Sequence, residues 1–131
     1  MMSYRIPSDD KLAEAIFVVM YRNQQVVSQR AMTELVHREL DKDEENYRVS
    51  GERIRRTAVN RDLAQLVIDY SGSSGELPEV CPVCRNSLTS VKNSTLDGNV
   101  VEIMRKCTVC PYSTGSDKHV PGRYTFIRKK R

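Results

Sequence analysis

The sequence predicts an α+β fold in two parts, with helices first and short strands second. Residues 1–75 carry mostly helical periodicity, whereas residues 76–131 contain short alternating stretches and turns. All four cysteines of the 131-residue chain lie in the second part, in two Cys-x-x-Cys pairs. We therefore expect two domains, over 1–75 and 76–131, which meet near the Gly- and Ser-rich stretch Ser71–Glu79.

The first helix is predicted over Asp9–Arg22, with Ser8 or Asp9 as its cap. Acidic side chains in its first turn suit the positive end of the helix dipole. Its apolar residues recur at helical spacing and form one stripe: Leu12, Ile16, Val19 and Met20.

The second helix is predicted from Ser28, again a capping residue, to about Leu40. Its apolar stripe consists of Met32, Leu35, Val36 and Leu40. The next stretch, Asp41–Val49, is too polar and charged to pack against a core. We expect it to form a surface loop.

The third helix is predicted to begin at Ser50, and a β-prone stretch, Ala64–Tyr70, follows it. At about 100° per residue, one face of this helix collects four polar residues: Arg53, Arg56, Thr57 and Asn60. Glu52 is the only acid between Ser50 and Arg61, against four arginines. Three helices followed by a β-ribbon are the order of a winged helix, in which the third helix reads nucleic acid.

This assignment predicts specific contacts to DNA. Arg53 and Arg56 would meet guanine edges or phosphates, and Asn60 could reach adenine. Arg55 points roughly 160° away from Arg53 and should matter less. A wing at Ser71–Gly75 would lie near the DNA backbone. The basic tail, with Lys129 and Lys130, would contact phosphates or serve as a solvated end.

The cysteine spacing predicts one structural zinc ion. Two residues between paired cysteines place both sulfurs on one metal, and two pairs complete a closed tetrahedral shell: Cys81, Cys84, Cys107 and Cys110. Iron could occupy the same sulfurs. A thioredoxin-like redox centre has one such pair, and disulfides would require an oxidising compartment.

The 22 residues between the two pairs predict a hairpin. The stretches 87–93 and 100–106 are strand-like, and Asp97-Gly98 is a typical turn dipeptide between them. A third strand is expected over Arg123–Ile127. Together these features predict a small all-β zinc ribbon after the winged helix.

The stretches "VVSQRAMTELVHREL" and "YRVSGERIRRTAV", with "CPVC…LDG…CTVC", resemble small archaeal proteins that join a winged helix-turn-helix to a C-terminal zinc ribbon. The resemblance covers roughly residues 8–127. It implies a cytoplasmic, zinc-bearing transcriptional regulator, and it brings no catalytic residues with it.

No motif in the sequence indicates catalysis, and we expect the protein not to be an enzyme. The contiguous acids Asp43, Glu44 and Glu45 suit a solvated loop better than an acid–base pair. His37 and His119 are not assigned to the metal, because four cysteines already fill a tetrahedral shell. The longest apolar run, Ala15–Met20, is too short to cross a membrane, so a cytoplasmic location is expected.

Two functions remain open at this point. The first is binding of double-stranded DNA as a transcriptional regulator, with RNA as a lesser version. The second is an adaptor that docks on a polymerase or ribosomal assembly. Residues 1–75 carry 11 Lys and Arg against 12 Asp and Glu, which favours the adaptor, and residues 76–131 carry 10 against 5. The arginines of the third helix favour DNA.

Overall fold

The computed structural model describes residues 5–43, 46–72, 76–115 and 118–129. The fold class of these residues is α+β. The elements are α1 (Asp9–Arg22), β1 (Gln25–Val26), α2 (Gln29–Leu40), a 3-10 turn (Asp41–Asp43), α3 (Gly51–Asn60), β2 (Ala64–Gly72), β3 (Leu88–Ser94), β4 (Val100–Cys107) and β5 (Val120–Arg128). The three predicted helices are confirmed.

Each helix begins at the serine that the sequence places there. The hydroxyls of Ser8, Ser28 and Ser50 accept backbone N–H groups three residues further on, at 3.0–3.1 Å. These bonds satisfy donors that the first turn of a helix leaves open. At the other end of α3, Leu63 N–H donates to the carbonyl of Ala58, a Schellman closure in which Asp62 takes a φ of 57°.

The apolar stripes of the helices form one core. Leu12, Ile16, Val36 and Ile54 are fully buried, and Leu35 is half-buried at the edge. Phe126 of β5 is also fully buried in this compact unit. The helical bundle therefore includes a residue from near the C-terminus.

The strands form two small antiparallel sheets. One has the order β1-β5-β2, and the other consists of β3 and β4. In the first, Gln25 pairs with Ile127 and Val26 with Phe126. The predicted third ribbon strand at Arg123–Ile127 is therefore wrong in its pairing, because this segment belongs to β5 and joins β1 and β2.

The chain divides into two compact units. One combines Met1–Val67 with Tyr124–Arg131, and the other is Ile68–Arg123. The boundaries fall within β2 and within β5, so the second unit is inserted in the chain between residues of the first. The predicted division into domains at 1–75 and 76–131 stays a prediction. The compact units differ from it in that the end of β5, from Tyr124, groups with the helices.

The predicted hairpin of the cysteine-bearing unit is confirmed. Leu88 pairs with Cys107 and Ser94 with Val100, with an irregularity between Val91 and Lys92. At its tip, Gly98 has a φ of 88°, in the region that favours glycine. The first cysteine pair precedes β3 and the second begins at the end of β4, so the antiparallel pairing brings the two pairs to the same end of the hairpin.

The predicted surface loop after α2 is tied to the start of the chain. Residues 44 and 45 lie outside the described part of the structure. Arg5 N–H donates to the carbonyl of Asn46 at 3.1 Å, and Arg48 N–H donates to the carbonyl of Arg5 at 2.8 Å. The Asp41 carboxylate also accepts the Tyr47 N–H at 2.9 Å. These bonds fix the loop segment that leads into α3.

Candidate metal centre and nucleic-acid interface

The four cysteines form one buried cluster in the Ile68–Arg123 unit. Their sulfur atoms all lie within 4.8 Å of one another, and none of the four is in a disulfide: Cys81, Cys84, Cys107 and Cys110. Two of the Sγ–Sγ separations are 3.5 Å. A tetrahedral site with metal–sulfur bonds of about 2.3 Å separates its sulfurs by about 3.8 Å. The cluster is therefore compatible with one metal ion such as zinc.

Backbone turns hold the first cysteine pair in place. Cys81 N–H donates to the carbonyl of Asn86, and Arg85 N–H donates back to the carbonyl of Cys81, both at 2.9 Å. Arg85 has a φ of 67°, where a residue with a side chain is strained. The Asn86 side-chain amide donates to the Cys84 sulfur at 3.1 Å. This turn brings both sulfurs to the same side of the chain.

The second pair uses the same kind of donors. The N–H groups of Val109 and Cys110 both donate to the Cys107 sulfur at 3.3 Å. Cys107 N–H donates to the carbonyl of Tyr112 at 2.9 Å, which closes the turn. Backbone N–H groups aimed at a sulfur stabilise negative charge there, and a metal ligand is a thiolate.

The environment moves the pKa values of these thiols in different directions. The contact between Cys81 and Cys110 lowers the pKa of Cys81 to about 5 and raises the pKa of Cys110 far above its ordinary value. The N–H groups of Cys84 and Val83 also lower the pKa of Cys81. Burial raises the pKa of the Cys84 thiol. The close contact between Cys81 and Cys110 therefore favours one negative charge shared by this pair of sulfurs.

Neither histidine belongs to the cluster. The Nδ1 of His37 lies 3.0 Å from the carbonyl of Thr33, and its Nε2 accepts the Val49 N–H at 3.3 Å, so the ring joins α2 to the residues before α3. His119 is buried in the cysteine-bearing unit. Its carbonyl accepts the Tyr112 hydroxyl at 2.8 Å. Among the described residues, the four cysteines are the only group of three or more potential ligands placed around one point.

The predicted nucleic-acid residues of α3 lie together around one surface cavity. This cavity of ≈ 310 Å³ is lined by Asp9, Arg53, Arg56, Thr57, Asn60 and Arg61. Arg56 and Asn60 are exposed, whereas Arg53 and Thr57 are half-buried. Cationic and amide groups around an open cavity can hold an anion or the edge of a base.

Two acids at the start of α1 pair with arginines of this cavity. Asp9 accepts from Arg53 at 2.8 Å, and Asp10 accepts from Arg61 at 2.9 Å. The Arg53 guanidinium holds the pKa of Asp9 below its ordinary value. In the sequence these acids suit the helix dipole, and nothing in their spacing indicates partners about 44 to 51 residues away. These two acids of α1 therefore neutralise part of the positive charge around the cavity.

Arg55 lies in the interior of the helical unit. It is 9% exposed and donates to Gln29 Oε1 at 2.9 Å. Its guanidinium lies 4.3 Å from the centre of the Tyr124 ring. The side chain does not line the cavity of α3, which agrees with its predicted position on another face of the helix.

The tail and the wing are described only in part. Lys129 forms an ion pair with Asp62 just beyond α3, and Lys130 lies outside the described residues. Of the predicted wing, Ser71 and Gly72 belong to β2, and residues 73–75 lie outside the described residues. Contacts of this wing and tail with a DNA backbone therefore stay predictions.

Across the described ranges, no helix has both the length and the apolar character needed to cross a membrane. Comparison of the chain with protein-family models, with curated proteins and with solved structures finds no match.

Proposed function

We propose that the protein binds one structural zinc ion and uses its helical unit to bind double-stranded DNA as a transcriptional regulator. The cavity on α3 carries the DNA part of this proposal, because three arginines, a threonine and an asparagine line it together with a single acid, Asp9. The cysteine cluster carries the zinc part.

Four buried sulfurs support a structural role for the metal. A shell of four thiolates leaves no open position for water or substrate, so the ion would hold the two cysteine turns together. Besides the cysteine turns, the Ile68–Arg123 unit contains the β3–β4 hairpin, the end of β2 and the start of β5, which is a small amount of structure for a core of its own. Metal binding would therefore supply much of the folding free energy of this unit.

Elemental analysis tests the metal and separates zinc from iron. We expect about one zinc per chain in protein purified without added metal. Iron bound to four thiolates would colour the protein, and zinc would not. A Cys84→Ser variant should lose the metal, whereas Ser87→Ala, which changes a nearby residue outside the cluster, should retain it.

The order of elements supports a winged helix. Three helices and β2 precede β5, and β5 lies between β1 and β2 in the sheet. We infer that β2 and β5 are the wing strands and that the cysteine-bearing segment is inserted in the chain between them. This differs from the expected arrangement, in which a complete winged helix is followed by a ribbon.

The positive charge of the helical unit is compatible with DNA binding. The sequence positions grouped as the helical unit carry 15 Lys and Arg against 11 Asp and Glu. Those of the cysteine-bearing unit carry 6 against 6. The argument for an adaptor from the net charge of residues 1–75 therefore weakens, because the basic C-terminal residues group with the helices.

Selection of bound duplexes from a random library tests the proposal. We expect a defined sequence preference, which Arg56→Ala relaxes at one position and Arg38→Ala leaves intact. Arg38 is an exposed arginine of α2 outside the cavity and has the same charge. Binding with no sequence preference, or equal effects of the two substitutions, would contradict a reading role for α3.

Exposed apolar residues favour the adaptor as a second candidate. On the cysteine-bearing unit, several apolar side chains are exposed: Val80, Leu96, Val100, Val101, Ile103 and Val109. Such residues are typical of protein-binding surfaces when they are contiguous. Purification from the host with and without nuclease separates the two functions. A set of polymerase or ribosomal proteins that survives nuclease would support the adaptor.

A further inference from the structure

The outward side of α1 carries an aromatic pair that the core does not use. Phe17 and Tyr21 are 44% and 72% exposed, and their rings stack with centroids 6.4 Å apart. The buried stripe of the same helix, which includes Leu12 and Ile16, already fills the core. Aromatic rings of this kind provide large contact area at low cost in side-chain entropy.

Two cations lie beside the aromatic pair. Arg128 and Lys129 line a cavity of ≈ 270 Å³ together with Phe17, Met20, Tyr21 and Leu63. Arg128 donates to the carbonyl of Tyr21 at 3.1 Å, which fixes it at the C-terminal end of α1. Lys129 also pairs with Asp62, so the excess positive charge at this end comes from Arg128. This end of the helix is therefore apolar, with a net positive charge.

The N-terminal end of the same helix side is acidic. Asp10 and Glu14 are exposed. Glu14 follows Asp10 by four residues, Phe17 follows Glu14 by three, and Tyr21 follows Phe17 by four. These four residues form one outward row along the helix. The Asp10 side chain remains 92% exposed while it pairs with Arg61.

We propose that this row is a contact surface for a second copy of the chain. An antiparallel pairing of two α1 helices about a two-fold axis places Glu14 opposite Phe17 of the partner and Asp10 opposite Tyr21 of the partner. The carboxylates of each copy then approach the cations beside the other copy's aromatic pair. Because both halves of the contact lie on one helix, the surface is complementary to itself.

The charge pattern favours this partner over nucleic acid. Phosphates would meet Asp10 and Glu14 along half of the row, and like charges repel. A helix of 14 residues is about 21 Å long, which limits the contact area. We therefore expect a weak dimer with a dissociation constant in the micromolar range. The dimer is measured without DNA, because Asp10 and Lys129 also adjoin the proposed DNA interface.

Sedimentation equilibrium of the full-length protein over about 1–200 μM tests the dimer. Tyr21→Ala and Glu14→Lys should each weaken self-association by about tenfold or more. An equimolar mixture of Glu14→Lys and Lys129→Glu proteins should regain association, since the exchanged charges are complementary between the two variants. Leu96→Ala, an exposed apolar change on the β3–β4 hairpin, should have no effect.

A monomer across the whole concentration range would overturn the proposal. So would self-association that Leu96→Ala abolishes and Tyr21→Ala does not. Far-UV circular dichroism of each variant checks that the helices remain, and the substituted side chains of α1 are exposed enough that folding should be retained. If the variants fold and the charge-exchanged mixture stays monomeric, the pairing of α1 with α1 is wrong.

Discussion

Asp9 pairs with an arginine of the α3 cavity that the proposed DNA contact would use. Its carboxylate lies 2.8 Å from Arg53 and lines the same cavity as Arg56 and Asn60. The pKa of Asp9 is lowered from its ordinary value of 3.8. The ion pair therefore contributes its full stabilisation above that ordinary pKa, and this stabilisation is lost as the pH falls through the lowered pKa. If α3 binds DNA as proposed, a phosphate that approaches Arg53 at neutral pH would have to displace the charged Asp9 carboxylate.

Asp9→Asn should increase affinity for duplex DNA. Removing the carboxylate frees Arg53 and removes a repulsion from phosphate, so we expect an increase of about threefold to tenfold at low salt. Fluorescence anisotropy over a series of salt concentrations measures this, and the dependence on salt should become steeper. Glu34→Gln, which removes an exposed acid of α2, serves as the control. Equal affinities for Asp9→Asn and wild type would mean that Arg53 does not contact the DNA.

Arg55 should contribute to the stability of the fold, whereas the arginines of the cavity are predicted to contact DNA. Arg55→Ala removes the bond to Gln29 and the contact with the Tyr124 ring, and we expect a loss of about 2 kcal/mol in the free energy of unfolding. Urea denaturation followed by circular dichroism measures the loss. Arg38→Ala should change stability by less than about 0.5 kcal/mol. An Arg55→Ala protein as stable as wild type would contradict the interior position of this side chain.

Among the secondary-structure elements, β5 differs most from its predicted position. It lies far along the chain from the helices, yet it pairs with β1 and contributes the fully buried Phe126 to their unit. The helical unit is therefore completed only when the end of the chain is present. Truncation after the cysteines should accordingly destabilise the helices as well as remove the tail.

Phe126→Ala tests the place of β5. Loss of a fully buried phenylalanine costs about 3–5 kcal/mol, and the loss should appear in the unfolding of the helices. Phe17→Ala is the matched control, because Phe17 is the other phenylalanine of the chain and is 44% exposed. Both are measured by urea denaturation at low protein concentration, so that self-association does not contribute. Equal losses for the two variants would contradict the assignment of β5 to the helical unit.

Loss of the metal should unfold the cysteine-bearing unit and leave the helices folded. Cys107→Ser removes one of four sulfurs, so residues 76–115 should lose protection from hydrogen exchange while α1, α2 and α3 keep theirs. Hydrogen exchange followed by mass spectrometry measures both units in one sample. Thr108→Ser, a neighbouring change that retains all four sulfurs, is the control. Full protection of the cysteine-bearing unit without metal would contradict a structural role for the ion.

Local patterns predicted the helices and the cysteine cluster, because both depend on short sequence spacing. Serine caps and apolar stripes define α1 to α3, and two Cys-x-x-Cys pairs define the cluster. The strand at the C-terminus was also recognised, but a strand's own residues do not specify which strand it pairs with. The ion pairs of Asp9 and Asp10 with α3 were missed for the same reason, since the tertiary fold brings them together.

The most direct test of a DNA-reading α3 is a salt titration of binding to a selected duplex, with the wild type compared to Arg56→Ala and Lys129→Ala. We expect Arg56→Ala to lose about 1–3 kcal/mol of binding free energy on the selected sequence and much less on unrelated DNA. Lys129→Ala should weaken binding to both sequences alike and lower the salt slope by about one unit. If Arg56→Ala weakens selected and unrelated duplexes equally, or if wild type binds neither, α3 does not read DNA.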